Sequence, residues 1–184
     1  PHLIPGYEDW LASLLHARGI TDAAQAQAFL YPSLDALHDP MRLQGMPQAV
    51  ALIRELGARK ARAVVYGDYD VDGLCASVIA EEALRATGLK TVVYIPDRHT
   101  EGYGINADAV RKLAPQAELL LTVDCGITAV EEVALARELG LRVIVTDHHQ
   151  PPDALPLADA VINPLLGDYP FPGLCGAGTA WKLS

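Results

Sequence analysis

From residue 63 onward the chain alternates short β-branched runs with amphipathic stretches of about 10–15 residues, a rhythm that few folds accept. The runs Ala63-Val64-Val65-Tyr66, Leu119-Leu120-Leu121-Thr122-Val123 and Val143-Ile144-Val145-Thr146 carry it most clearly. It is the pattern of a parallel sheet with crossover helices. The spacing predicts strands over 63–67, 91–95, 118–123, 142–146 and 159–162, with helices over 74–87, 106–113 and 127–139. The last two helices are entered through a polar residue and a glycine, Asn106 and Gly126. The expected fold class is therefore α/β, with a parallel sheet of about five strands.

Residues 7–57 lack convincing strands and read as helices. Trp10, Leu11, Leu14 and Leu15 recur at helical spacing between Tyr7 and Arg18. Thr21-Asp22 starts an alanine-rich segment that ends before Tyr31-Pro32, and Gly45-Met46-Pro47 precedes a third with Val50, Leu52, Ile53 and Leu56, which Gly57 ends. These stripes read as packing surface. The expected division is an N-terminal helical segment over 1–60 and an α/β domain over 61–184. The proline-rich stretch from Pro151 to Pro172 is expected to be an irregular surface connection.

With 184 residues, 51% hydrophobic and 20% charged, the chain can bury a sizeable core. No apolar run approaches the roughly 20 residues that cross a bilayer, and no charged-then-apolar secretory pattern opens the chain. Cys75, Cys125 and Cys175 form no CxxC pair and read as reduced thiols. A soluble, cytoplasmic protein without a membrane partner is expected. The formal net charge of -9 counts against a uniformly basic nucleic-acid surface. Part of that acidity lies in one motif, however, where divalent cations would reverse the local sign.

That motif is Gly67-Asp68-Tyr69-Asp70-Val71-Asp72-Gly73, which sets three carboxylates on alternate residues directly after the first predicted strand. Carboxylates crowded this closely repel one another unless a hard cation sits among them, and oxygen donors suit magnesium, manganese or calcium. Asp124 ends the third predicted strand and Asp147-His148-His149 the fourth. In an open parallel sheet the carboxyl ends of the strands share one edge, and ligands bind outside it. Three clusters thus meet, and their donors suit two metals better than one, which a carboxylate such as Asp124 could bridge. Two cations about 3.5–4 Å apart would activate a water, clamp a phosphate and stabilise the leaving oxygen. The predicted chemistry is hydrolysis of a phosphoanhydride or phosphodiester, with one histidine on metal and its neighbour free to contact the phosphate.

GDYDVDG, VDCG and TDHH, in this order, resemble the DHH phosphoesterase superfamily. The segments Ile95-Pro96-Asp97-Arg98-His99-Thr100-Glu101-Gly102-Tyr103-Gly104-Ile105-Asn106, Ile162-Asn163-Pro164 and Gly176-Ala177-Gly178-Thr179-Ala180-Trp181-Lys182-Leu183 resemble its RecJ family of single-strand-specific exonucleases. The resemblance implies a dinuclear Mn2+ or Mg2+ centre. It implies Asp70, Asp72, Asp124 and His148 as catalytic metal ligands, with Asp124 bridging and Asp68 a ligand or close neighbour. It also implies Asp147 as the group orienting an imidazole, His149 as a further catalytic residue that contacts the phosphate, and Arg98 and Tyr103 as contacts to the strand. Arg suits bidentate phosphate recognition and Tyr can stack on a base. The expected activity is a 5′ to 3′ exonuclease releasing nucleoside 5′-monophosphates from single-stranded DNA in repair and recombination. The expected protein partners are a single-stranded-DNA-binding protein or a helicase. The alternatives are a small-substrate relative, such as a pyrophosphatase or a phosphodiesterase of oligonucleotides or cyclic dinucleotides, and a non-catalytic scaffold. The family also uses a further metal-binding Asp beyond the DHH motif, expected past residue 184, so that this stretch alone would hold an incomplete second site.

Overall fold

The computed structural model describes residues 4–184, which divide into two compact units meeting at Asp39 and Pro40. In the first unit, α1 (Asp9–His16) and α2 (Ala23–Leu30) bury Ala12, Leu15 and Ala26 with Ile4. Asp22 caps α2 by accepting a hydrogen bond from the Gln25 amide at 2.8 Å. Of the stripe expected on the first helix, Leu15 is buried while Trp10 and Leu14 stay exposed.

The third helix of the expected preface, α3 (Met46–Ala58), belongs to the second unit. Its Met46, Ala49, Leu52, Ile53 and Leu56 share one core with the sheet, so the unit begins near Pro40 rather than at 61. Gly57 does not end α3 but lies within it. A side chain there would put Cβ 2.3 Å from the Thr87 carbonyl oxygen, so glycine is required by a close helix approach.

Five strands, β1 (Arg62–Tyr66), β2 (Lys90–Tyr94), β3 (Leu119–Val123), β4 (Arg142–Thr146) and β5 (Ala160–Ile162), form one parallel sheet in the order β2-β1-β3-β4-β5. Successive side chains alternate between its faces. Ala63, Val65, Leu119, Leu121 and Ile144 pack with α3, α4 (Val71–Ala86) and α7 (Gly176–Leu183). Val64, Tyr66, Leu120, Val143 and Val145 pack on the other face with α5 (Ala107–Leu113) and α6 (Val130–Glu138). Burial on both faces explains why the strands read as continuous apolar runs rather than alternating ones.

Strand order also fixes where a ligand can enter. From β1 the chain moves to one side, through α4 to β2, and from β3 it moves to the other, through α6 to β4. Right-handed crossovers therefore place α4 and α6 on opposite faces. The loops after β1 and β3 part, and a crevice opens at their carboxyl ends.

Two helices start away from their predicted ends for local reasons. Asp70 caps α4 three residues early, its Oδ1 accepting from the Gly73 amide at 2.9 Å. α6 begins only at Val130, because the Ile127 amide is drawn to Asp147 Oδ2 at 2.9 Å. The 151–172 stretch is irregular around β5, but it is not confined to the surface, since Asn163 and Tyr169 are buried. Among the described residues, no helix is long and apolar enough to cross a membrane.

Candidate metal centre

The sheet register pairs Tyr66 with Thr122 and Val123 with Thr146, so the residues that follow these strands reach one level of the crevice. Asp68 is nearly buried and accepts from the Tyr69 amide at 2.7 Å. Burial, followed by the Asp70 and Asp147 charges, pushes its carboxyl up. Asp124 has φ +60°, a left-handed conformation that few residues other than glycine adopt and that costs of order 1–3 kcal/mol. Its amide still donates to the Thr146 carbonyl at 3.1 Å, so the β3–β4 ladder runs into the site.

Two groups of donors meet at Asp124. Donor atoms of Asp68, Asp70 and Asp124 lie within 4.8 Å of one another, as do those of Asp124, His148 and His149. Asp124 Oδ1 is 3.1 Å from His148 Nε2, yet it is buried and has no hydrogen-bond partner among the described residues. A buried carboxylate oxygen left this way is unfavourable. Burial, with the Asp72 and Asp70 charges nearby, pushes the Asp124 carboxyl from 3.8 up to about 7. A divalent cation would meet all three conditions at once: the close donors, the unpaired oxygen and the crowded charge. Oxygen-rich donors with one or two imidazoles fit Mn2+ or Mg2+.

Asp72, expected as a ligand, belongs to neither donor group. It stands 3.6 Å from His148 Nε2, and both its oxygens accept from the first turn of α7, from Gly176 at 2.7 Å and Ala177 at 2.8 Å. Burial pushes its carboxyl up, but these amides, the Cys175 thiol and His148 outweigh it and hold it below the usual range. Asp72 therefore ties α4 to α7 beneath the centre. Gly176 has no room for a side chain, because a Cβ would lie 2.2 Å from Asp124 Oδ1.

Asp147 holds the His149 imidazole and the backbone of both histidines. Its Oδ1 accepts from the amides of His148 at 2.7 Å and His149 at 3.1 Å and faces His149 Nδ1 at 2.7 Å, while Oδ2 holds Ile127. Burial lowers the His149 pKa, but the Asp147 carboxylate and the surrounding acids raise it overall. With Nδ1 engaged, Nε2 is left for the site, 3.4 Å from the Tyr103 hydroxyl. Asn163 Nδ2 donates to the His149 carbonyl at 2.9 Å and pins that turn from β5.

Arg98 and Tyr103 reach the same rim. The Arg98 guanidinium lies 5.5 Å from the Tyr69 ring centre, Tyr103 meets Tyr69 edge-on at 6.4 Å, and Tyr103 meets the His149 ring at 6.1 Å. A cavity of about 520 Å³ opens beside them, between Tyr103, Ile127, Glu132 and Gln150.

Residues 62–184 match the DHH family, N-terminal domain. This chain belongs to the DHH family. It is 40% identical over 177 residues to the single-stranded-DNA-specific exonuclease RecJ of Bacillus subtilis, covering 95% of this chain and 22% of that protein. A crystal structure of exonuclease RecJ bound to manganese matches with a TM-score of 0.72 at 38% identity, over 80% of this chain and 38% of that one. The structure of RecJ from Thermus thermophilus in complex with Mn2+ matches with a TM-score of 0.74 at 34% identity, over 94% and 24% of the two chains. The chain thus spans less than two fifths of each of these relatives.

The DHH match starts at the first residue of β1, so all three strand-end clusters fall within it. Three contributors went unread as site residues in the sequence. Tyr69 sits inside the acidic motif, where attention falls on the carboxylates. Gly176 and Asn163 lie in segments whose resemblance to the family was legible but whose partners, Asp124 and His149, are distant in sequence.

Proposed function

We propose that this DHH chain is the catalytic part of a metal-dependent 5′ to 3′ exonuclease that hydrolyses single-stranded DNA to nucleoside 5′-monophosphates in repair and recombination. The observation that carries the reading is the pair of donor groups sharing Asp124, with its buried Oδ1 left without a hydrogen bond. Asp68, Asp70 and Asp124 would hold one Mn2+ or Mg2+, and Asp124, His148 and His149 a second. When bound, the cations supply Lewis-acid polarisation of a phosphate and a water of lowered pKa. The likeness to proteins named single-stranded-DNA-specific exonuclease, and to RecJ structures holding manganese, favours DNA over a small phosphoanhydride.

The chain's own side chains divide the remaining tasks. Asp147 holds His149 in one tautomer and orientation, leaving Nε2 for a cation or a phosphate oxygen. Arg98, on the rim, pairs with a backbone phosphate, and half-exposed Tyr103 offers a face to a base. Asp72 keeps α7 against the bridging carboxylate. In the cell this reading puts the protein in the cytoplasm, where a single-stranded-DNA-binding protein or a helicase presents the strand.

The test is Mn2+-dependent release from 5′- and 3′-labelled single strands, by this chain and by a longer polypeptide that adds the region its relatives carry, with Asp124→Ala as control. Early release of the 5′ label as a mononucleotide, abolished by the substitution, is expected. Turnover confined to pyrophosphate or dinucleotides, or initial release of the 3′ label, would refute the proposal.

A further inference from the structure

The geometry points to Glu101 as the positioning residue that holds Arg98 and Tyr103 ready for a strand, an inference that rests on the single-strand reading above. Arg98 and Tyr103 stand on residues 95–106, which contain no helix or strand before α5. Gly102 and Gly104, at φ +81° and +78°, flank Tyr103, and nothing lies within 4 Å of where their side chains would be. Neither the backbone nor packing at those glycines fixes such a loop. Polar contacts must. Asp97 closes the turn itself, its Oδ1 accepting from the His99 and Thr100 amides at 2.8 and 3.1 Å, and Glu101 ties that turn to the sheet.

Glu101 Oε1 accepts from the Tyr94 hydroxyl at 2.5 Å and from Asn106 Nδ2 at 3.3 Å, while Oε2 accepts from the Asp97 amide at 2.9 Å. These partners are the last residue of β2, the start of the loop and the residue that caps α5 through the Ala109 amide at 2.8 Å. The Tyr94 hydroxyl first, then the Asp97 amide, hold the Glu101 carboxyl below its usual range, so it stays an acceptor. Asn106 also reaches the Tyr66 hydroxyl, which donates to the Gly104 carbonyl at 3.0 Å. One side chain thus joins both ends of the loop to the sheet. Glu101 itself makes no contact with the donor groups at Asp124.

What it aims is specific. Across the loop, Arg98 lies over Tyr69, between Asp68 and Asp70, and Tyr103 reaches His149. Side chains ordered before binding lose less freedom on contact with a strand, which is the usual origin of affinity from a residue that touches no ligand.

The test is fluorescence anisotropy of a phosphorothioate single strand, resistant to cleavage, with Mn2+ affinity of the same samples read by electron paramagnetic resonance. Glu101→Ala is expected to weaken strand binding about tenfold, as two rotamer-rich side chains lose their ordering, with Mn2+ affinity unchanged. Glu101→Gln keeps an oxygen for Tyr94 and Asn106 but cannot accept from the Asp97 amide, so an intermediate loss of roughly threefold is expected. In a background carrying Arg98→Ala and Tyr103→Ala, adding Glu101→Ala should change affinity by less than about twofold. An equal loss in that background, a parallel loss of Mn2+ affinity, or unchanged strand binding by Glu101→Ala would overturn the inference. Should Glu101→Ala not fold, Glu101→Gln decides, and full wild-type affinity in it would overturn the inference equally. A wild-type chain that binds Mn2+ but no single strand would instead overturn the reading beneath it.

Discussion

Gly176→Ala tests how tightly α7 is pressed against the centre. The added Cβ would lie 2.2 Å from Oδ1, 2.5 Å from Cγ and 2.6 Å from Cβ of Asp124, and Asp124 can hardly yield, being 1% exposed with its backbone at φ +60°. The end of α7 must therefore retreat, and retreat breaks the 2.7 and 2.8 Å hydrogen bonds from Gly176 and Ala177 to Asp72. Overpacking alone costs about 1–3 kcal/mol, and hydrogen bonds to a charged group are worth about 1.5–3 kcal/mol each. Partial relaxation and alanine's helix preference, worth up to about 1 kcal/mol, offset some of this. A net loss of at least about 3 kcal/mol follows, or roughly 6–12 °C or more in Tm for a chain of this length. Gly178→Ala is the internal control. Its Cβ would meet the end of the Leu174 side chain at 3.3 Å and Cys175 Sγ at 3.7 Å, both able to move, so it should be neutral or slightly stabilising. Thermal and urea unfolding of both variants in chelator gives the comparison. Equal stability of the two would refute the argument that the first glycine is required by the Asp124 carboxylate.

Asp124→Asn should invert the stability order of the cation-free protein with pH. A carboxyl raised from 3.8 to about 7 binds its proton more tightly folded than unfolded, so this group's contribution falls as pH rises from about 4 to about 7. Some 3 units correspond to at most about 4 kcal/mol, and solvent in the crevice trims this to about 1–3 kcal/mol. Urea unfolding at pH 4 and pH 8 should show the variant gaining by that amount relative to wild type, while Mn2+ no longer stabilises it; a pH-independent difference would contradict this. Asp147→Ala leaves the Ile127, His148 and His149 amides without their acceptor, and calorimetry should show Mn2+ affinity falling about 10–100-fold. Arg98→Ala should lower the salt slope of strand binding by about 1 without altering preference among sequences, and an unchanged slope would remove Arg98 from the phosphate path.

How much of this was legible before the structure varies with range in sequence. The strands were readable because burial on both faces leaves unbroken apolar runs, and the first strand, Arg62–Tyr66, lies within one residue of its predicted start. The carboxylates at the strand ends were readable for the same reason, since parallel strands must deliver their carboxyl ends to one edge. The hydrogen bonds of Asp72 to α7 were not. Three acids on alternate residues read as one extended row, but α4 starts at Val71, and on a helix each residue turns about 100° from the last. Asp72 consequently leaves the row and reaches α7, more than a hundred residues away, a pairing that no local pattern encodes. Tyr69 and Glu101 escaped for a related reason. Their importance lies in whom they hold, Arg98 in one case and the ends of its loop in the other, and side-chain type alone does not announce a partner.

Four acids of the crevice show two levels of compensation, with Asp70 between them as both donor and cap of α4, and the difference helps explain how so much charge can be assembled in one place. Asp72 and Asp147 together accept from five backbone amides, those of Gly176, Ala177, Ile127, His148 and His149, so their charge is compensated by the fold itself. Asp68 and Asp124 carry raised carboxyl pKa values; Asp68 accepts from the single Tyr69 amide, and Asp124 keeps a buried oxygen without a hydrogen bond, beside His148. The compensated pair fixes the elements, joining α4 to α7 and β4 to the turn after β3. The less compensated pair is thereby held in an arrangement it would not adopt alone, since two buried like charges otherwise move apart or take up protons. The acids held by several amides thus fix the positions of the others, whose crowded charge a divalent cation would relieve.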